Sequence, residues 1–79
     1  MITVYYFARL KEVTGKEKET LSFDSITVRE LIEWAGSAYD DFSTDNGSTY
    51  VAVNEEYAQL DDLIQSGDDV AFIPPVSGG

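Results

Sequence analysis

The segment Asp69-Val70-Ala71-Phe72-Ile73 is apolar on both of its alternating faces and runs into Pro74-Pro75. A strand with two apolar faces has to be covered on both, which places it in the middle of a sheet rather than at an edge. Neither proline can donate a ladder hydrogen bond, so pairing is expected to stop there. Val76-Ser77-Gly78-Gly79 is then expected to leave in an extended, polyproline-like form. The opening segment, Met1 to Ala8, reads as a second two-sided strand, with Ile2, Val4 and Tyr6 on one face and Thr3, Tyr5 and Phe7 on the other.

Between these two strands the pattern changes. A short helical turn is expected at Arg9-Leu10-Lys11-Glu12-Val13, closed by Gly15 as a C-terminal cap. Lys18 to Phe23 alternates polar and apolar, with Leu21 and Phe23 facing inward, as in a strand antiparallel to the first. Thr27-Val28-Arg29-Glu30 is a capping box that starts a helix, and Val28, Leu31, Ile32 and Ala35 share its apolar stripe. Gly36 weakens or ends this helix. Asp40 to Thr49 is acidic and rich in turn formers, an exposed loop. Tyr50 to Val53 is a short strand, Asn54-Glu55-Glu56 a turn, and Leu60, Leu63 and Ile64 are expected to anchor an irregular segment before the turn at Gly67-Asp68.

Strand, strand, helix, strand, strand with one segregated helix indicates an α+β fold. A ubiquitin-like β-grasp roll fits, with a mixed sheet and one main helix packed on one face. Residues 1–75 form the domain and 76–79 a flexible tail. The first and last strands then lie side by side and parallel in the middle of the sheet. The helix covers Ile2, Val4, Tyr6, Val70 and Phe72, which leaves Tyr5, Phe7, Ala71 and Ile73 on the open face. An apolar patch there marks a protein interface unless loops cover it.

Seventy-nine residues make one small domain. The chain has no cysteine and no histidine, which removes disulfides, thiol nucleophiles, imidazole bases and the usual soft metal ligands. No apolar run is long enough to span a membrane and no charged-then-apolar leader is present, so a cytoplasmic protein is the expectation. The net charge is −10, and all five basic residues, Arg9, Lys11, Lys16, Lys18 and Arg29, fall in the first part of the chain. From Glu30 onward there are eleven acidic residues and no cation. Such a surface repels phosphate backbones, which argues against nucleic acid and for a basic protein partner, although the same charge also serves solubility.

Gly78-Gly79 has no side chain to obstruct a narrow tunnel and adopts backbone angles that other residues avoid. Its carboxylate is the one group there that can react. A free carboxylate is a poor acyl donor, so such a tail needs activation by another protein, most simply as an acyl-adenylate from ATP. The plain alternative is a frayed terminus.

Over its whole length the chain resembles the small subunit of molybdopterin synthase, a ubiquitin-like sulfur carrier. The resemblance lies in Phe7-Ala8-Arg9-Leu10-Lys11-Glu12 with Gly15, in Ala52-Val53-Asn54, and above all in Gly67-Asp68-Asp69-Val70-Ala71-Phe72-Ile73-Pro74-Pro75-Val76-Ser77-Gly78-Gly79. It is less similar to the thiamine sulfur carrier, which shares the fold and the diglycine but typically lacks the Phe-Ala-Arg-Leu-Lys-Glu turn and the double proline.

The resemblance implies that a ubiquitin-activating-like adenylyltransferase adenylates the Gly79 carboxylate and that sulfur from a persulfide donor displaces AMP to give a thiocarboxylate. It implies next that the carrier docks on the large synthase subunit, in a heterotetramer, and passes sulfur to cyclic pyranopterin monophosphate. Gly79 is then the reactive residue, Gly78 the steric one, and Pro75, Val76 and Ser77 position the tail. Phe7, Ile73, Tyr5 and Ala71 supply the partner interface. No cofactor is bound, ATP being consumed by the activating partner, and the chain is a sulfur-donating subunit without autonomous activity.

A protein modifier that acylates lysine is the nearest rival, followed by sulfur delivery to another pathway such as thiamine or tRNA thiolation. The acidic pairs Asp40-Asp41, Asp61-Asp62 and Asp68-Asp69 make a poor enzyme site, since adjacent residues point apart. Asp41, Ser43 and Asp45 echo a calcium loop, but Asn46 stands where glycine is needed and Ala52 where the bidentate glutamate belongs.

Overall fold

The structure is a computed structural model that describes residues 1–7, 9–39 and 50–73. Its main sheet is built on the two two-sided strands, β1 (Ile2–Tyr6) and the last strand, Asp69–Ile73. They pair in parallel, with Val4 beside Val70, Tyr5 beside Ala71 and Tyr6 beside Phe72. Ile2, Val4, Tyr6, Val70 and Phe72 are all buried on one face, and their neighbours along each strand turn to the other. The alternation read from the sequence therefore has the correct phase on both strands.

After β1 comes α1 (Arg9–Thr14), whose Leu10 is fully buried. Gly15 caps it at φ 75°, in the left-handed region that glycine enters freely, and its N–H donates to the Lys11 carbonyl at 2.8 Å. Next are β2 (Lys18–Leu21), antiparallel to β1, and β3 (Ser25–Thr27), then α2 (Val28–Ala38). β4 (Tyr50–Val53), β5 (Glu56–Tyr57), β6 (Leu63–Gln65) and β7, the Asp69–Ile73 strand, are the remaining elements among the described residues. The five-stranded sheet runs β2-β1-β7-β4-β5, and β3 with β6 forms a separate two-stranded ribbon. This is the expected mixed sheet with its helix on one side. The pieces the sequence reading did not separate are β3, β5 and β6, all of two or three residues.

The N-terminal turn of α2 has a partner for each of its first three amides. Val28 N–H donates to the Asp62 carbonyl at 3.0 Å, Arg29 N–H to the Leu60 carbonyl at 2.9 Å, and Glu30 N–H to Thr27 Oγ1 at 3.1 Å. Glu30 Oε1 accepts from Thr27 N–H at 3.0 Å in return, which closes the expected capping box. This explains a correction. Leu60 and Leu63 do not anchor the segment by their side chains, since the residues are 46% and 53% exposed. The Leu60 carbonyl does so instead, as a helix cap, while Leu63 alternates outward on β6 and Ile64 alone is fully buried.

Gly36 does not end α2, which continues to Ala38. Tyr39 caps it by donating its N–H to the Ala35 carbonyl at 3.0 Å and packs edge-on against Trp34 and Tyr6, at ring distances of 6.2 and 6.1 Å. These aromatic contacts outweigh the roughly 1 kcal/mol that glycine costs in a helix.

Glu19 stands opposite Val4 on the helix side of the sheet, an acidic residue at the margin of the core. It accepts from Tyr6 Oη at 2.7 Å, Tyr39 Oη at 2.7 Å and Lys16 Nζ at 2.9 Å. Burial alone raises its pKa, but these three donors outweigh burial and leave it below the usual glutamate range. Burial and the adjacent Glu19 raise the Tyr6 phenol well above its ordinary value. A carboxyl lowered in the folded state stabilises the fold above its unfolded pKa, and that contribution is lost as pH falls through its folded pKa. Denaturation of the wild-type chain should therefore show stability declining as pH falls through the carboxylate range. Glu19→Gln should be less stable at neutral pH and decline less steeply; an unchanged slope would remove Glu19 from the account.

Candidate functional site

The face of the sheet opposite α2 carries a groove of about 600 Å3. Its floor is set by ladder register. Tyr5 lies beside Ala71 across the parallel β1–β7 pair, and Ala71 lies beside Ala52 across the antiparallel β7–β4 pair. Phe7, just past the end of β1, is 47% exposed, and Ile73 closes the far end of β7. All four side chains expected at a partner interface, Tyr5, Phe7, Ala71 and Ile73, thus line one groove. Val76, Ser77, Gly78 and Gly79, with Pro75 before them, lie outside the described residues, as do the Asp40–Thr49 segment and its echo of a calcium loop.

The groove has more contributors than the sequence reading named. Ala52, its neighbour Tyr57 on β5, Asn54, Glu55 and Asp69 also line it. Asn54 and Glu55 have φ of 52° and 72°, the two left-handed residues of a tight hairpin. Recognising that turn as a two-residue hairpin loop would have found β5 and placed Tyr57, since the residue after the loop must pair back onto Val53. On the β2 flank, Lys18 Nζ lies 6.0 Å from the Tyr5 ring centre, and Lys18 and Lys11 border a second depression that also includes Tyr5 and Phe7. The open face is therefore charged in two senses, basic beside β2 and acidic at the β4–β5 hairpin.

Asn54 ties that hairpin to the start of β7. Its N–H donates to the Asp69 carbonyl at 2.7 Å, its Oδ1 accepts from Asp69 N–H at 3.0 Å, and its Nδ2 donates to Asp68 Oδ1 at 3.1 Å. Asp68 Oδ2 accepts in turn from Gln65 N–H at 2.8 Å. The Gln65 amide first, and the Asn54 amide second, hold the Asp68 carboxyl below the ordinary aspartate range. The bracket fixes where β7 begins and hence the register in which Ala71 and Ile73 reach the groove.

Among the described residues, an open apolar sheet face, a single long helix behind it and a parallel pairing of first and last strands define a ubiquitin-like β-grasp protein. The structure of SAMP1 from Haloferax volcanii superimposes with a TM-score of 0.79 at 29% identity, covering 99% of this chain and 98% of that one. The chain belongs to the ThiS family, whose model matches residues 4–79. Among its relatives, the molybdopterin synthase sulfur carrier subunit of Escherichia coli is 33% identical over the full length of both chains. The protein of the same name from Dictyostelium discoideum is 39% identical over 96% of this chain and 93% of its own. The resemblance carried by the Phe7–Glu12 and Gly67–Gly79 segments is thereby borne out. Among the described residues no helix is long and apolar enough to cross a membrane.

The two phenylalanines at the ends of the central pair should behave oppositely. Phe72→Ala empties a fully buried site and should cost about 3–5 kcal/mol. Phe7→Ala should stay within about 0.5 kcal/mol of wild type. Urea unfolding of both variants checks this, and a large loss for Phe7→Ala would mean that its ring is part of the core.

Proposed function

We propose that this chain is the sulfur-carrier small subunit of a molybdopterin synthase. The observation that carries this reading is its full-length match, through Gly79, to relatives of that name. In this reading a partner adenylyltransferase joins the Gly79 carboxylate to AMP with loss of pyrophosphate. The terminal sulfur of a persulfide then attacks the acyl carbon and AMP leaves. A thiol splits the resulting S–S bond and frees the thiocarboxylate. Sulfur in place of one oxygen makes a softer and more nucleophilic anion, so the carrier needs no base, thiol or metal of its own, in keeping with a sequence without histidine or cysteine.

Docking on the large synthase subunit falls to the open-face groove of Tyr5, Phe7, Ala71 and Ile73. Ordering each tail residue in the partner's tunnel costs roughly 1–2 kcal/mol, which docking must offset. Apolar area buried on this face contributes about 25 cal/mol per Å2. Gly78 gives the tail its narrow cross-section, and Pro75, Val76 and Ser77 set its direction.

The likeness to SAMP1, a small archaeal modifier protein, favours a second reading in which the same activated terminus acylates a lysine. The two differ in product. Incubation with ATP, an activating enzyme and a sulfide source should convert the terminal carboxylate to a thiocarboxylate, read by intact mass and mapped to Gly79. Gly78→Ala should block sulfur delivery in a reconstituted synthase while leaving the fold intact. Phe7→Ala should weaken binding to the large subunit more than it lowers the melting temperature. Thiol-stable lysine conjugates in place of the thiocarboxylate would decide for the modifier.

A further inference from the structure

A second groove lies between α2 and the β4–β5 edge of the sheet, lined by neither Phe7 nor Ile73, although Tyr50 at its rim pairs with Ile73. It is about 450 Å3, walled by Val28 and Ile32 of α2, Val51 of β4, and Ala58 and Leu60 of the following segment. Tyr50 and Tyr57, residues 56% and 74% exposed, form its rim with their rings edge-on at 5.8 Å. Past Tyr57 and Ala58 it continues into a smaller depression beside Leu63. Of the six exposed large apolar side chains among the described residues, Tyr50, Tyr57, Leu60 and Leu63 cluster here. A concentration of that kind exceeds the scattered exposure that soluble surfaces ordinarily show.

The surrounding charge points to the occupant. Glu33 lines the groove, and Glu56 and Asp62 line its continuation. Arg29 also lines the groove, but its charge is paired, with Nη2 3.0 Å from Asp61 Oδ1. No Lys or Arg follows Arg29 in the sequence, so nothing downstream offsets these carboxylates. A second copy of a chain with net charge −10 would bring like charge against like, and a phosphate backbone would do the same.

We propose that the groove between α2 and β4–β5 is a docking site for a basic segment of another protein, one that seats apolar side chains between Ile32 and Leu60 and places lysine or arginine over Glu33, Glu56 and Asp62. The groove shares Tyr57 with the open-face groove but includes neither Phe7 nor Ile73. The proposal does not depend on the sulfur-carrier reading, because it uses neither the tail nor Phe7.

The test is a titration of the full-length, isotope-labelled chain, followed by NMR, with a synthetic peptide of alternating leucine and lysine. The control peptide carries glutamate for lysine. Amide shifts should centre on Ile32, Val51, Ala58 and Leu60, affinity should fall as salt rises, and the glutamate peptide should not bind. Leu60→Ser and Glu33→Gln should each weaken binding, Leu60→Ser on the order of tenfold, with the melting temperature kept. Phe7→Ala should bind as wild type. Shifts centred on Phe7 and Ile73, equal binding of the two peptides, or indifference to Leu60→Ser would overturn the proposal. So would concentration-dependent shifts at Ile32 and Leu60 without peptide, which would make the groove a self-association surface.

Discussion

The parallel pairing of β1 with β7 is the interaction on which the rest of the structure depends. It joins the first and last described strands, so each has neighbours on both sides, β2 beyond β1 and β4 beyond β7. Side chains in register across it, Val4 with Val70 and Tyr6 with Phe72, lay down a continuous apolar surface for α2. Tyr6 and Phe72 stack at 6.0 Å with rings nearly parallel. The same pairing sets Tyr5 beside Ala71 on the opposite face, so core and groove are two sides of one register. A slip of one residue would exchange them.

Short backbone brackets hold the remaining elements to that pair. The Leu60 and Asp62 carbonyls cap α2, and the β3–β6 ribbon fixes that segment by pairing Ile26 with Ile64. Asn54 clamps the β4–β5 hairpin to Asp68 and Asp69. Glu19 gathers Tyr6, Tyr39 and Lys16 at the other margin. A domain of this size has little apolar area to spare, and satisfied polar groups at the edges of its core keep that area dry without leaving unpaired donors. Among the described residues no buried side-chain nitrogen or oxygen lacks a partner.

Charge and chemistry are divided along the chain. The cations lie in its first part, and the structure carries Lys11 and Lys18 to the β2 flank of the open face. The acidic remainder supplies Glu55 and Asp69 at the other end of that face and Glu33, Glu56 and Asp62 on the helix side. A partner on the open face meets both signs across the groove, whereas one at the α2–β4 groove meets Glu33, Glu56 and Asp62 around an apolar floor, with Arg29 paired to Asp61. Long-range charge governs encounter and orientation, and the apolar floors govern residence.

Much of this was legible in the residues, because the signals were local. Period-two alternation placed Ile2, Val4, Tyr6, Val70 and Phe72 in the core and Tyr5, Phe7, Ala71 and Ile73 on the open face. The Thr27–Glu30 box set the start of α2, and Gly15 marked the end of α1. The diglycine named the candidate chemistry, and the Phe7–Glu12 and Gly67–Gly79 segments named the family. The tertiary structure decided what depends on distant partners. The outward turn of Leu60 and Leu63, the passage of α2 through Gly36, the place of Glu19 between two tyrosines and the joining of Tyr57 to both grooves each rest on residues far apart in the chain. Local propensity reports what a segment prefers by itself; which carbonyl caps a helix and which apolar side chain stays in water is settled by the neighbours that folding brings to it.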